Sequence, residues 1–71
     1  MQLAYEGKLE QRSGEGVLLE FRPIGNSVKV SAIDQITGTE VSIVGPRSAS
    51  KADLRTAAVR KLKYVLNKNR Q

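Results

Sequence analysis

Cysteine, histidine and tryptophan are absent from this 71-residue chain, and proline occurs only twice. Without cysteine there is no disulfide, and without thiol or imidazole the usual zinc ligand sets are excluded. The same two gaps remove most routes to nucleophilic or general-base catalysis. Aromatic residues are scarce as well. Tyr5, Phe21 and Tyr64 are the whole set, too few for a stacking platform on single-stranded nucleic acid. No stretch approaches the run of about 18 apolar residues that spans a membrane. The start of the chain lacks the basic-then-apolar order of a secretory signal. These absences lead us to expect a cytoplasmic protein with no membrane, metal or cofactor partner. No enzyme is expected either, because no two carboxylates share a predicted concave site: Asp34 falls in a turn, and Glu20 and Glu40 fall on a wet sheet face.

Size adds a constraint. A chain this short holds one domain and buries only about 60% of the surface its unfolded form exposes. With disulfides and metals excluded, close packing or self-association must supply the remaining stability.

The charge that is present is divided by position. Up to Gly45 there are four basic residues against six acidic ones; from Pro46 onward there are eight basic residues against Asp53 alone. A cationic tail on a mildly acidic body invites an acidic partner, whether nucleic acid, another protein or a second copy.

Residues 1–16 are polar and glycine-bearing and read as a flexible arm, with Leu3 to Leu9 as a lesser candidate for an extra edge strand. From Val17 the pattern becomes regular. Val17, Leu19 and Phe21 alternate with Leu18, Glu20 and Arg22, the period of a strand with one buried face. Gly25-Asn26 suits a two-residue type II′ hairpin turn, after which Val28, Val30 and Ala32 alternate with Lys29, Ser31 and Ile33. Asp34 to Gly38 forms a second turn, in which Asp34 can accept from backbone amides. A third strand follows, with Val41 and Ile43 inward.

The two turns place Phe21 opposite Val30, Leu19 opposite Ala32, Ala32 opposite Val41 and Val30 opposite Ile43. One face thus receives every inward residue, and a one-residue slip would scatter them. Pro23 marks the first of these strands as an edge. Beyond the Gly45–Ser50 hinge, Ser50 with Asp53 approximates a capping box, and Leu54, Ala58, Leu62 and Val65 recur at helical spacing. The reading is a single α+β domain over 17–71: a three-stranded antiparallel meander (strands about 17–24, 27–34 and 39–45) covered by one C-terminal helix (about 50–68).

Two sets of residues are candidates for function. The apolar arc of the helix, widened by Val59, Tyr64 and Leu66, exceeds what one three-stranded sheet covers. On the opposite sheet face Leu18 pairs with Ile33, with Val44 nearby. These six are the candidate contacts of a homodimer, and exchange of the helix through the 45–50 hinge is one route to it. Singly exposed apolar residues are the plainer alternative. The second set is Arg55, Arg60, Lys63 and Arg70, candidate contacts to phosphate groups. The helix cations surround it instead of lining one side, so a solvated helix with a dipole-matched end is the simpler account.

The stretch from Glu20-Phe21-Arg22-Pro23-Ile24-Gly25-Asn26-Ser27 through Asp34, then Thr37-Gly38-Thr39-Glu40-Val41-Ser42-Ile43-Val44-Gly45-Pro46 and the helix end Leu62-Lys63-Tyr64-Val65-Leu66, resembles a small family of short bacterial proteins of unknown function. The resemblance stops short of the arm before Val17. It implies the meander-plus-helix fold and a dimeric, domain-swapped assembly, and it assigns no activity, ligand or active-site residue. The expectation from sequence is a non-enzymatic binding protein of unknown cellular role that self-associates as a homodimer. The alternative is a nonspecific nucleic-acid binder acting through the basic helix.

Overall fold

Two glycine-bearing turns set the register of the sheet. In the computed structural model, which describes residues 9–12 and 16–69, Gly25 sits at φ 58° and no described residue other than glycine has a positive φ. That combination is the type II′ pattern, which glycine adopts without steric cost. It joins β2 (Val17–Ile24) to β3 (Ser27–Asp34) with Ile24 opposite Ser27, Phe21 opposite Val30 and Leu19 opposite Ala32. In the next turn the Asp34 N–H donates to the Thr39 carbonyl at 2.8 Å and the Gly38 N–H to the Asp34 carbonyl at 2.7 Å. β4 (Glu40–Pro46) then pairs back, with Ala32 opposite Val41 and Val30 opposite Ile43. The register is the one the sequence dictates.

The inward set closes over one core. Leu19, Phe21, Val28 and Val30 are fully buried on the sheet and Leu62 on α1 (Lys51–Asn69), with Leu54 and Ala58 completing the helix's contribution. Each large side chain removed from water contributes about 1.5–3 kcal/mol of burial free energy. The helix lies against β3 and β4. Its start is fixed by Ser50, whose hydroxyl accepts the Asp53 N–H at 3.0 Å, satisfying one of the free amides of the first turn. The Lys51 ammonium stands 5.9 Å from the centre of the Phe21 ring, within cation–π range.

The expected three-stranded meander β2-β3-β4 under one C-terminal helix is present, and a short strand joins it beside β2, giving the order β1-β2-β3-β4. β1 (Leu9–Arg12) pairs antiparallel with β2, Leu9 opposite Phe21 and Arg12 opposite Leu18. The reading of 1–16 as an arm is thus corrected at 9–12, and of the strand candidate Leu3 to Leu9 only Leu9 falls within the described residues. Nothing in Glu10-Gln11-Arg12 alternates; this strand exists because β2 offers it a row of backbone partners. The remainder of the arm lies outside the described residues.

The extra strand also changes the reading of Pro23, since β2 is interior from Leu18 to Phe21. Ladder alternation counted from the Ile24–Ser27 closing pair turns Pro23 away from β3, so its missing N–H costs no bond of the β2–β3 ladder.

Candidate interaction surfaces

The helix covers one face of the sheet and leaves the other to water, so the outward residues of the strands form the broadest available surface. Register orders them in rows across β2, β3 and β4. Ile24, Ser27 and Pro46 come first, then Arg22, Lys29 and Val44, then Glu20, Ser31 and Ser42, and last Leu18, Ile33 and Glu40. The middle is small and hydroxylic: Ser31 is buried, and its Oγ lies 3.0 Å from the Ser42 Oγ. A shallow groove of about 150 Å³ runs past Glu20, Arg22, Lys29, Ser31 and Glu40. Two carboxylates therefore line one depression after all, which the sequence reading did not foresee. They sit on β2 and β4 with β3 between and one row apart, about 12 Å from each other by strand spacing and rise, and cations flank them. Leu18 and Ile33 form a half-buried pair, whereas Val44, 66% exposed, stands opposite Lys29 at the far end of the face and not beside them.

The helix surface is less apolar than its arc implies. Val59 and Leu66 are half-buried and pack on the core cluster; of the three helix candidates only Tyr64, at 65%, is well exposed. Of the candidate cations Arg55, Arg60 and Lys63 are exposed but spread around the helix, Arg55 on the side away from Tyr64 and more than two turns before it, while Arg70 lies outside the described residues. Lys61 is committed elsewhere, its ammonium donating to the Ser42 carbonyl at 2.8 Å.

That bond closes part of an open edge. Ladder alternation turns the backbone groups of Glu40, Ser42, Val44 and Pro46 away from β3, toward the side where an added strand would pair. Pro46 has no donor to offer there, its carbonyl already accepts the Ala49 N–H at 3.1 Å, and Lys61 occupies the carbonyl of Ser42. Edge lysine and proline are common devices against strand addition. The adjoining hinge is held as well. Arg47 donates its backbone N–H to Asn26 at 3.1 Å and its guanidinium to the Gly25 carbonyl at 3.2 Å.

In the β3–β4 turn Asp34 accepts a backbone amide as its sequence position implies, and Ile36 is the feature the sequence reading passed over. The Asp34 carboxylate accepts the Thr37 hydroxyl at 2.6 Å and the Thr37 N–H at 3.0 Å. The Thr37 side-chain hydrogen bond above all, then the Thr37 amide, hold this carboxyl below its usual range against an opposing desolvation effect, with the Ile36 amide adding to the lowering. The turn so fixed projects Ile36 into water at 87% exposure, beside a mostly apolar groove of about 450 Å³ that reaches Leu66 and Asn69. An isoleucine inside a turn of Asp, Gln, Thr and Gly was the available signal.

Among the described residues no group of three or more acidic, thiol or imidazole side chains could hold a metal ion, and no helix is long and apolar enough to cross a membrane. What remains is an α+β domain with one covered and one open sheet face. The chain belongs to the family described as a domain of unknown function, DUF6898, whose model matches residues 14–69. No curated protein and no solved structure shows significant similarity to it.

Proposed function

We propose that this protein acts by binding and not by catalysis, and that its first partner is a second copy of itself. One observation carries the reading: the open sheet face bears Leu18, Ile33, Val44 and Ile24, and none of them reaches the helix-covered core. In a chain whose own core is small, apolar groups left on a flat face favour association. The reading favours rigid pairing over exchange of the helix, because the hinge is hydrogen-bonded to the β2–β3 turn on both Gly25 and Asn26. A cytoplasmic bacterial setting belongs to the same reading, checked by cell fractionation. Light scattering over about 1–200 μM, the range where interfaces of modest area associate, is expected to give a mass rising toward two chains.

A second reading rests on the exposed helix cations Arg55, Arg60 and Lys63. Such a basic helix suits phosphate contacts on nucleic acid, or an acidic protein surface, with little base readout. Retardation of duplex DNA that weakens steeply between about 50 and 200 mM salt supports it, as expected for roughly six phosphate contacts; no retardation at about 50 mM removes it.

A further inference from the structure

We infer that the second copy docks face-on to the outer surface of the sheet, through a two-fold axis that sets Arg22 of each copy on Glu20 of the other. This inference rests on the self-association reading and adds where and how the copies meet.

The first argument is charge complementarity. Arg22 and Lys29 stand side by side as a cross-strand pair, both exposed. Glu20 is the next outward residue along β2, about 7 Å from Arg22 by strand rise. A two-fold interface is self-complementary, so each contact occurs twice. An axis running across the strands, between the Arg22–Lys29 row and the Glu20–Ser31 row, lays Arg22 of each copy over Glu20 of the other. It brings Ile24 onto Leu18 at the same time. The same axis lays the row of Lys29 and Val44 of each copy over the Ser31–Ser42 row of the other, where the small, mutually hydrogen-bonded hydroxyls at 3.0 Å leave room for the larger side chains.

The second argument is exclusion of the alternative. Pairing edge to edge along β4 meets Pro46 and the Lys61-occupied carbonyl of Ser42, and those devices act against strand addition. The face carries no such obstacle.

Area sets the strength. Four strands at a spacing of about 4.8 Å and eight residues at about 3.3 Å give a face of roughly 500 Å². Two such faces bury about 1,000 Å², at the lower limit for a specific interface. The dimer is therefore weak, salt-sensitive and concentration-dependent.

Charge reversal tests this. Arg22→Glu sets one carboxylate against each Glu20, and Glu20→Arg sets one guanidinium against each Arg22; each variant alone is expected to dimerise at least tenfold more weakly than the wild type, because like charges in contact cost several kcal/mol. An equimolar mixture of the two restores opposite charges at both contacts and recovers wild-type mass. Arg22→Ala with Lys29→Ala serves as a milder pair and is expected to weaken association several-fold, with circular dichroism confirming the fold of each variant. If the wild type dimerises while the reversals leave its affinity unchanged, or if the mixture fails to recover, the docking face is wrong and the self-association reading stands. If the wild type keeps the mass of one chain up to about 200 μM, that reading falls and this inference with it.

Discussion

Phe21 is the largest side chain that the fold removes entirely from water, and it shows how much depends on single residues here. Truncating a buried phenylalanine costs about 3–5 kcal/mol, against a total stability of about 5–15 kcal/mol for a domain. Phe21→Ala is expected to leave the chain largely unfolded at 37 °C, read by the loss of a cooperative urea transition. Tyr64→Ala, on the exposed helix face, should shift the midpoint by no more than about 0.5 kcal/mol.

Asp34 makes a different prediction. Its folded pKa is lowered from 3.8 by Thr37, so the carboxylate form favours the fold. A lowered acid contributes stability that is present above its unfolded value and lost as pH falls through the folded one. The melting temperature of the wild type is therefore expected to drop as pH falls below 3.8. Thr37→Val removes the dominant hydrogen bond; it should lower the melting temperature at pH 7 and flatten that acid limb, a pair of effects checked by calorimetry across the acid range. An acid limb unchanged in Thr37→Val would contradict the assignment.

At the scale of elements, the strands were legible wherever a turn residue and an alternating pattern agreed. Gly25 and Gly38 fixed β2, β3 and β4 to within one residue, and the Ser50 cap with Leu54, Ala58 and Leu62 fixed the helix equally well. β1 was not legible. Leu9-Glu10-Gln11-Arg12 carries no alternation, and its strand is defined by its register with β2. The six apolar dimer candidates were readable as apolar, but not all of their places. Val59 and Leu66 turn partly inward, and Val44 is separated from Ile33 by the Ser31–Ser42 row, a distance the register read from the turns already implied.

One close approach at this scale was invisible in sequence: a Cβ at Gly45 would lie 2.5 Å from Leu54 Cδ2. Leu54 is held in the core and cannot swing aside cheaply, so Gly45→Ala is expected to destabilise by about 1–3 kcal/mol through overpacking. Urea denaturation measures it. Gly45→Ala combined with Leu54→Val, which withdraws the clashing methyl, should recover part of that loss.

For the whole molecule, the division of charge and the division of faces have separate consequences. The basic helix and the sheet's outer surface point in opposite directions, since the helix lies on the inner face. A pair of copies joined through their sheets would thus carry its helices outward, with Arg55, Arg60 and Lys63 exposed on both far sides. Two cationic surfaces held in one particle bind an extended polyanion more tightly than either alone, through effective concentration. The two functional readings are compatible in that assembly, with dimer formation coming first.

Everything at this scale turns on whether the open face finds its match. Sedimentation equilibrium of the wild-type chain as a function of concentration is the direct measurement. The account predicts an average mass that climbs from 7.8 kDa toward twice that value, and climbs later when salt is raised, since the contact between copies includes charge pairs near solvent. A mass fixed at 7.8 kDa across the whole range would contradict it.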